Sequence, residues 1–138
     1  MCLIMIAENN FFNIREGSKW IGSHGSTRGF VDFDDPKYCI RAAWILICQT
    51  YRRRGILTIS EIINRFAPPK ENDTDKYIDF ICNRMSCFPF DIPSSRYDFC
   101  RLLSFISEYE VGIAFKVLPD AINDVVVEFN LDVYNCSR

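Results

Sequence analysis

The stretch from Asp35 to Arg54 constrains this chain more than any other. Its sequence Tyr38-Cys39-Ile40-Arg41-Ala42-Ala43-Trp44-Ile45-Leu46-Ile47-Cys48 is apolar around most of a helical circumference, which predicts a central helix buried on nearly all sides. Asp35 supplies the N-cap, Pro36 the first helical position and Gly55 the stop. Ile40, Trp44 and Ile47 belong in the core of such a helix. Arg52, Arg53 and Arg54 are expected exposed at its end, where cations complement the negative pole of the helix dipole. A helix of this kind needs other elements around it. The 138 residues, 49% hydrophobic and 14% aromatic, suit one compact domain over 1–138 that builds its core without metals or disulfides.

Those other elements are mostly helical. Thr58-Ile59-Ser60-Glu61 reads as a capping box, and the helix it opens ends before Pro68-Pro69. Asn72, Asp73 and Thr74 offer caps for a helix reaching about Met85. Ser94 or Ser95 starts another, to Val111, which Gly112 closes, and a last one opens at Pro119 and runs to about Phe129. Near the N-terminus, Phe12–Arg15 and Phe30–Phe33 alternate like short strands, joined by a loop at Gly22–Gly29. Five helices and a small N-terminal β element make a mainly helical α+β domain.

Charge and cysteine usage exclude several classes. Net charge is −2, but residues 1–70 hold ten Lys/Arg against six Asp/Glu, and residues 71–138 hold six against twelve. The basic half suits an anionic polymer. It lacks the basic, aromatic-interleaved stripe of a nucleic-acid binder, so no nucleic acid is expected. The seven cysteines are odd in number and sit mostly in apolar runs, as reduced core thiols do. No CxxC pair occurs, and the single His24 lies in a Gly/Ser loop, so neither a metal nor another cofactor is called for. No span approaches a membrane helix, and Cys2–Ala7 lacks the basic start of a signal peptide. The expectation is a cytoplasmically made chain with no integral membrane segment. If it works outside the cytoplasm, another agent delivers it.

One residue stands out for chemistry. Phe99, Leu102, Leu103, Phe105, Ile106 and Tyr109 share an arc of their helix, and Glu110 falls inside it. Glu108 points the other way, beside Arg101 and Ser104, and is expected solvated. Glu110 lies in the last turn, where the helix dipole and partial burial both oppose its charged form. A carboxyl kept protonated near neutral pH is what a general acid for glycoside cleavage requires. An ion pair with an arginine such as Arg41, or a frayed helix end, accounts for the same pattern equally well. Glu71 and Asn72 remain free to meet a ligand once Asp73 or Thr74 serves as cap. Trp20, in a glycine-rich stretch, reads either as core or as a sugar-stacking platform.

Several motifs occur in a fixed order. They are Asn9-Asn10 with Asn13-Ile14-Arg15, Trp20 with Gly22, Phe30 with Phe33, and Tyr38 with Arg41-Ala42. Then come Arg65, Ala67-Pro68-Pro69, Glu71-Asn72-Asp73-Thr74 with Tyr77, and finally Glu110-Val111-Gly112. Together they resemble a phage and mobile-element family of small muralytic virion proteins, which includes endolysin-like proteins. The resemblance covers roughly residues 9–112, and the diproline–ENDT segment is its most specific part. It implies a lysozyme-like or lytic-transglycosylase-like fold acting on peptidoglycan. It also implies that Glu110 is the helix-ending catalytic glutamate, in circularly permuted order relative to bacterial glucosaminidases. Asn13, Arg15, Trp20, Asn72 and Tyr77 would then bind substrate, and Glu71 would be the candidate second carboxylate. The chain departs from the family pattern at Phe11, Phe12, Cys39 and Phe66.

The function expected on this basis is cleavage of the glycan strand, as a muramidase or lytic transglycosylase, with Glu110 as general acid. A two-carboxylate mechanism needs a partner at roughly 5–9.5 Å; without one, a single-glutamate transglycosylase is preferred. The alternatives are an endopeptidase of the peptide cross-links and a non-catalytic wall-binding or virion structural protein. The site of action would be the cell wall, in the periplasm or outside the cell, reached through a holin, a virion or a secretion apparatus.

Overall fold

The computed structural model describes residues 4–134. Two strands, β1 (Ser23–Thr27) and β2 (Phe30–Phe33), precede five α-helices: α1 (Pro36–Trp44), α2 (Ile59–Phe66), α3 (Thr74–Met85), α4 (Arg96–Val111) and α5 (Pro119–Glu128). The result is an α+β domain dominated by helix. No helix among the described residues is long and apolar enough to cross a membrane.

The helix boundaries follow their local chemistry. The Asp35 side chain accepts the Lys37 N–H ahead of Pro36. Thr58 and Glu61 complete the reciprocal capping box of α2, Asp73 caps α3 and Ser95 caps α4. Gly55, at φ +77°, ends the first helical run. That run is not uniform, because α1 continues as a π-helix over Ile45–Tyr51. No Pro or Gly inside the segment announces the wider turn.

Ile40, Trp44 and Ile47 are buried as their spacing predicts, and Trp44 meets Phe99 of α4 edge-on. Yet α4, not the first helical run, is the most enclosed element. Eleven of its sixteen residues are buried, against five in α1 and three in the π-helical segment. It earns this position by packing against α3 on one side and α5 on the other.

Arg52 also departs from expectation. Its neighbours Arg53 and Arg54 are exposed, but Arg52 is 6% exposed. It donates to the Tyr134 and Pro93 carbonyls at 2.8 and 3.0 Å and lies over the Phe99 ring. Two backbone acceptors and an aromatic face replace the water it gives up.

The β element is placed differently too. The strand partner of Phe30–Phe33 is Ser23–Thr27, inside the expected loop, and Arg28-Gly29 forms a two-residue turn with φ of +53° and +85°. The Phe12–Arg15 segment contributes a single bridge, Arg15 to Phe30. Asn10 explains why. Its buried amide donates to the Ile14 and Val31 carbonyls and accepts the Ile14 N–H, each at 2.9 Å. A side chain thus takes over bonds that a regular strand would make. Gly22, at φ +79°, lies so near Tyr38 that an added Cβ would come within 2.1 Å of the ring.

Of the seven expected thiols, Cys39, Cys48, Cys82, Cys87 and Cys100 are free. Cys2 and Cys136 lie outside the described residues.

Candidate active site: a buried glutamate under a two-part groove

Glu110 ends α4 with its side chain turned inward, 9% exposed. Tyr77 of α3 donates its hydroxyl to Glu110 Oε2 at 2.7 Å. The Asn13 amide donates to Oε1 at 3.0 Å, from 97 residues away in sequence. Asn13 reaches it from a left-handed backbone, φ +49°, a conformation that asparagine tolerates better than most residues. Burial pushes the Glu110 carboxyl above its ordinary value of 4.5, and the Tyr77 and Asn13 hydrogen bonds and the Arg15 charge only partly offset it. Burial outweighs these contacts, so the carboxyl keeps its proton to a higher pH than an ordinary glutamate does.

Glu110 opens onto a hollow of about 220 Å³ lined by Asn13, Arg15, Phe30, Phe66, Glu71 and Asn72 among others. A second hollow of about 210 Å³ adjoins it, sharing Asn13, Arg15 and Phe66 and extending to Trp20, Tyr51 and Arg65. Taken together as a two-part groove, they hold the acid in one part and an indole in the other. Trp20 is half-buried: it packs against the core and also lines the groove.

The diproline loop forms the far wall. Thr74 Oγ1 donates to the Ala67 carbonyl at 2.6 Å, and the Glu71 and Asn72 N–H groups both fold back onto the Pro68 carbonyl. This presents Glu71 to Arg15, at 3.1 Å. Arg15 also lies 5.0 Å over the Phe30 ring, so the guanidinium is held from two sides.

Asn13, Arg15, Glu71, Asn72 and Glu110 line the first hollow, and Trp20 lines the second together with Asn13 and Arg15. Tyr77 lines neither. It is fully buried, stacked at 3.8 Å on Tyr109, and it positions Glu110 from below instead of touching a ligand. Tyr51 and Phe30 also line the groove, although the sequence assigned neither a role in the site and marked Phe30 only as a strand and motif residue. Tyr51 is hidden there because it sits between Gln49-Thr50 and the arginine run at the end of a helix, with no motif around it. Of Phe11, Phe12, Cys39 and Phe66, where the chain departs from the motifs it resembles, Phe66 alone lines the groove. Phe12 and Cys39 are core, and Phe11 lies on a separate shallow surface with Pro36 and Phe115.

Glu108 also differs from its expected exposure. It is 5% exposed, not solvated. Arg84 of α3 pairs with it at 3.0 Å and Lys116, just beyond α4, at 3.5 Å. A neighbouring helix and the segment that follows α4 cover a face that the helix pattern alone leaves open. Gly112, which follows, adopts φ +89° and ψ 163°, a backbone region that is essentially glycine-only.

The fold and groove define a small, mainly helical α+β domain built around an inward glutamate. No family model matches the sequence. The chain is similar to Protein P5 of Pseudoalteromonas phage PM2, with 40% identity over 86 residues, covering 57% of this chain and 53% of that protein. It therefore spans about half the length of the curated relative it matches.

Proposed function

We propose that this chain cleaves the glycan strand of peptidoglycan with Glu110 as general acid, within a lysozyme-like fold. The observation that carries the reading is Glu110 itself: a carboxyl pushed toward its protonated form, fixed by Tyr77 and Asn13, beneath an open groove. A glycosidic oxygen needs a proton as it leaves, and a positioned carboxylic acid delivers it. The two-part groove suits a linear polymer, with Trp20 as a face for a sugar ring and Arg15 as a cation for an acidic wall substituent. The ordered motif resemblance supports the same substrate.

Glu71 is the candidate second carboxylate, but its charge is already answered by Arg15. That pairing favours a single-acid route, in which the substrate's own N-acetyl group stabilises the cation, as in a lytic transglycosylase. The protein would act at the wall after delivery by a holin, a virion or a secretion apparatus.

The deciding experiment is mass spectrometry of purified peptidoglycan after incubation with the protein. Anhydro-muramyl ends are expected. Reducing ends would indicate hydrolysis instead, and freed peptides an endopeptidase. Unchanged wall would leave a binding or virion-structural role.

A further inference from the structure

Away from the groove, α3 ends in a motif that brings two cysteines together. Ser86 takes the left-handed conformation, φ 52° and ψ 50°. The Cys87 N–H then reaches back to the Cys82 carbonyl at 3.1 Å, and the Ser86 N–H is also bonded to that carbonyl. This is the Schellman-type close of a helix, in which the residue after the left-handed one comes to rest against the last helical turn. An apolar contact ordinarily fills that place. Here both positions are cysteine, and each thiol acts on the titration of the other. Both are half-buried, whereas Cys39, Cys48 and Cys100 are buried. Cys87 also lines a hollow of about 110 Å³ with Met85, Asp91 and Arg101, so a small reagent can reach it.

We propose that Cys82 and Cys87 are a dithiol site that closes to an intramolecular disulfide by exchange with a small-molecule disulfide. The Cys87 thiolate attacks one sulfur of the reagent, expelling the first thiolate and leaving a mixed disulfide on Cys87. Cys82, deprotonated in turn, attacks Cys87 Sγ and expels the second. The cysteine pair loses two electrons and two protons, and the reagent leaves as two thiols. The backbone bond between Cys87 and Cys82 already holds their main chains side by side, as a bridge demands.

Closure would tie the end of α3 to the Phe88–Ser94 loop. That loop is in turn bonded to the start of α2, through Ile59 N–H to the Asp91 carbonyl and Ser60 N–H to the Pro89 carbonyl. The bridge therefore anchors, at the end opposite the diproline loop, the segment that hydrogen-bonds to the start of α2. Burial raises both thiols, Cys82 to about 12, and Asp79, Asp91 and Asp98 oppose their thiolates while Arg101 favours that of Cys87. The exchange accordingly quickens as pH rises.

The test is incubation of the folded, reduced protein with glutathione disulfide, followed by acid quench and digestion without reductant. The expected result is a loss of two titratable thiols, a mass lower by two hydrogens and one peptide bridged between Cys82 and Cys87. Cys82→Ser should instead retain a glutathione adduct on Cys87, and circular dichroism checks that this variant folds. A wild-type adduct that never closes, a first bridge at other cysteines, or no reaction until the protein is unfolded would each overturn the proposal. None of these outcomes bears on cleavage of the wall.

Discussion

Arg15 Nη2 lies 3.1 Å from Glu71 Oε2, joining the N-terminal segment to the diproline loop across the groove that exposes Glu110. Both side chains are about half exposed, so the pair adds little to stability, in the range of about 0–1 kcal/mol found for surface ion pairs. Urea unfolding of Glu71→Gln should differ from the parent by no more than that. Under a single-acid mechanism the variant should also keep clearing purified walls, with less than about a tenfold loss. A loss as large as that of an acid knock-out, on the order of 10²–10⁴-fold, would make Glu71 the second catalytic carboxylate.

Glu110→Gln keeps the side chain's size and hydrogen-bonding reach but cannot donate an acid's proton. Wall clearing should fall by about 10²–10⁴-fold, the usual worth of a general acid, with the circular dichroism spectrum unchanged. Clearing at the parental rate would assign Glu110 a purely structural role.

The same residue sets a pH dependence of stability. Its folded carboxyl titrates above 4.5, so between 4.5 and that higher value the folded state holds more protons than the unfolded chain. Stability due to this group therefore falls as pH rises through that window, opposite to the behaviour of a salt-bridged carboxylate. Glu110→Gln should abolish this part of the slope. Denaturation midpoints of both proteins across the acid range measure it, and parallel slopes would refute the linkage.

Glu108 tests packing, not chemistry. Its carboxylate is buried between Arg84 and Lys116, so Glu108→Gln removes one charge and leaves two cations without their partner. A loss of about 1–3 kcal/mol is expected, as for a buried group deprived of its hydrogen-bonded partner. It should appear in chemical denaturation. Activity per folded molecule should stay at the parental level.

His24 joins β1 to Asp34 at 2.6 Å and to Glu8 at 3.1 Å. The Asp34 hydrogen bond is the largest cause of its raised pKa, which lies above the ordinary 6.5. Its stabilisation is complete below 6.5 and is lost as pH rises through the folded value. As the sole histidine, its imidazole signals can be followed by NMR, and a midpoint at or below 6.5 would contradict the bridge.

Much of the helical framework was legible because its signals are local. The Asp35-Pro36 start, the Thr58/Glu61 box, the Asp73 and Ser95 caps and the stop at Gly55 each depend on residues a few positions apart. Helix phase likewise turned Glu110 inward, because one helix is enough to define a face. The β element was misplaced because strand pairing is non-local: Asn10 took the bonds that would have made Phe12–Arg15 a strand. What lies beyond each helix, and so which faces are covered, is set by packing. Arg84 and Lys116 enclosed Glu108, two carbonyls and a ring enclosed Arg52, and Tyr109 buried Tyr77 beneath the acid it supports. By itself the sequence determined which segments are helical and that Glu110 faces inward, since capping and 3.6-residue periodicity act within a few turns of chain. Only the tertiary structure decided that Asn13, Tyr77 and Glu110 meet, since contacts across 33 and 97 residues depend on how those helices close around a shared core.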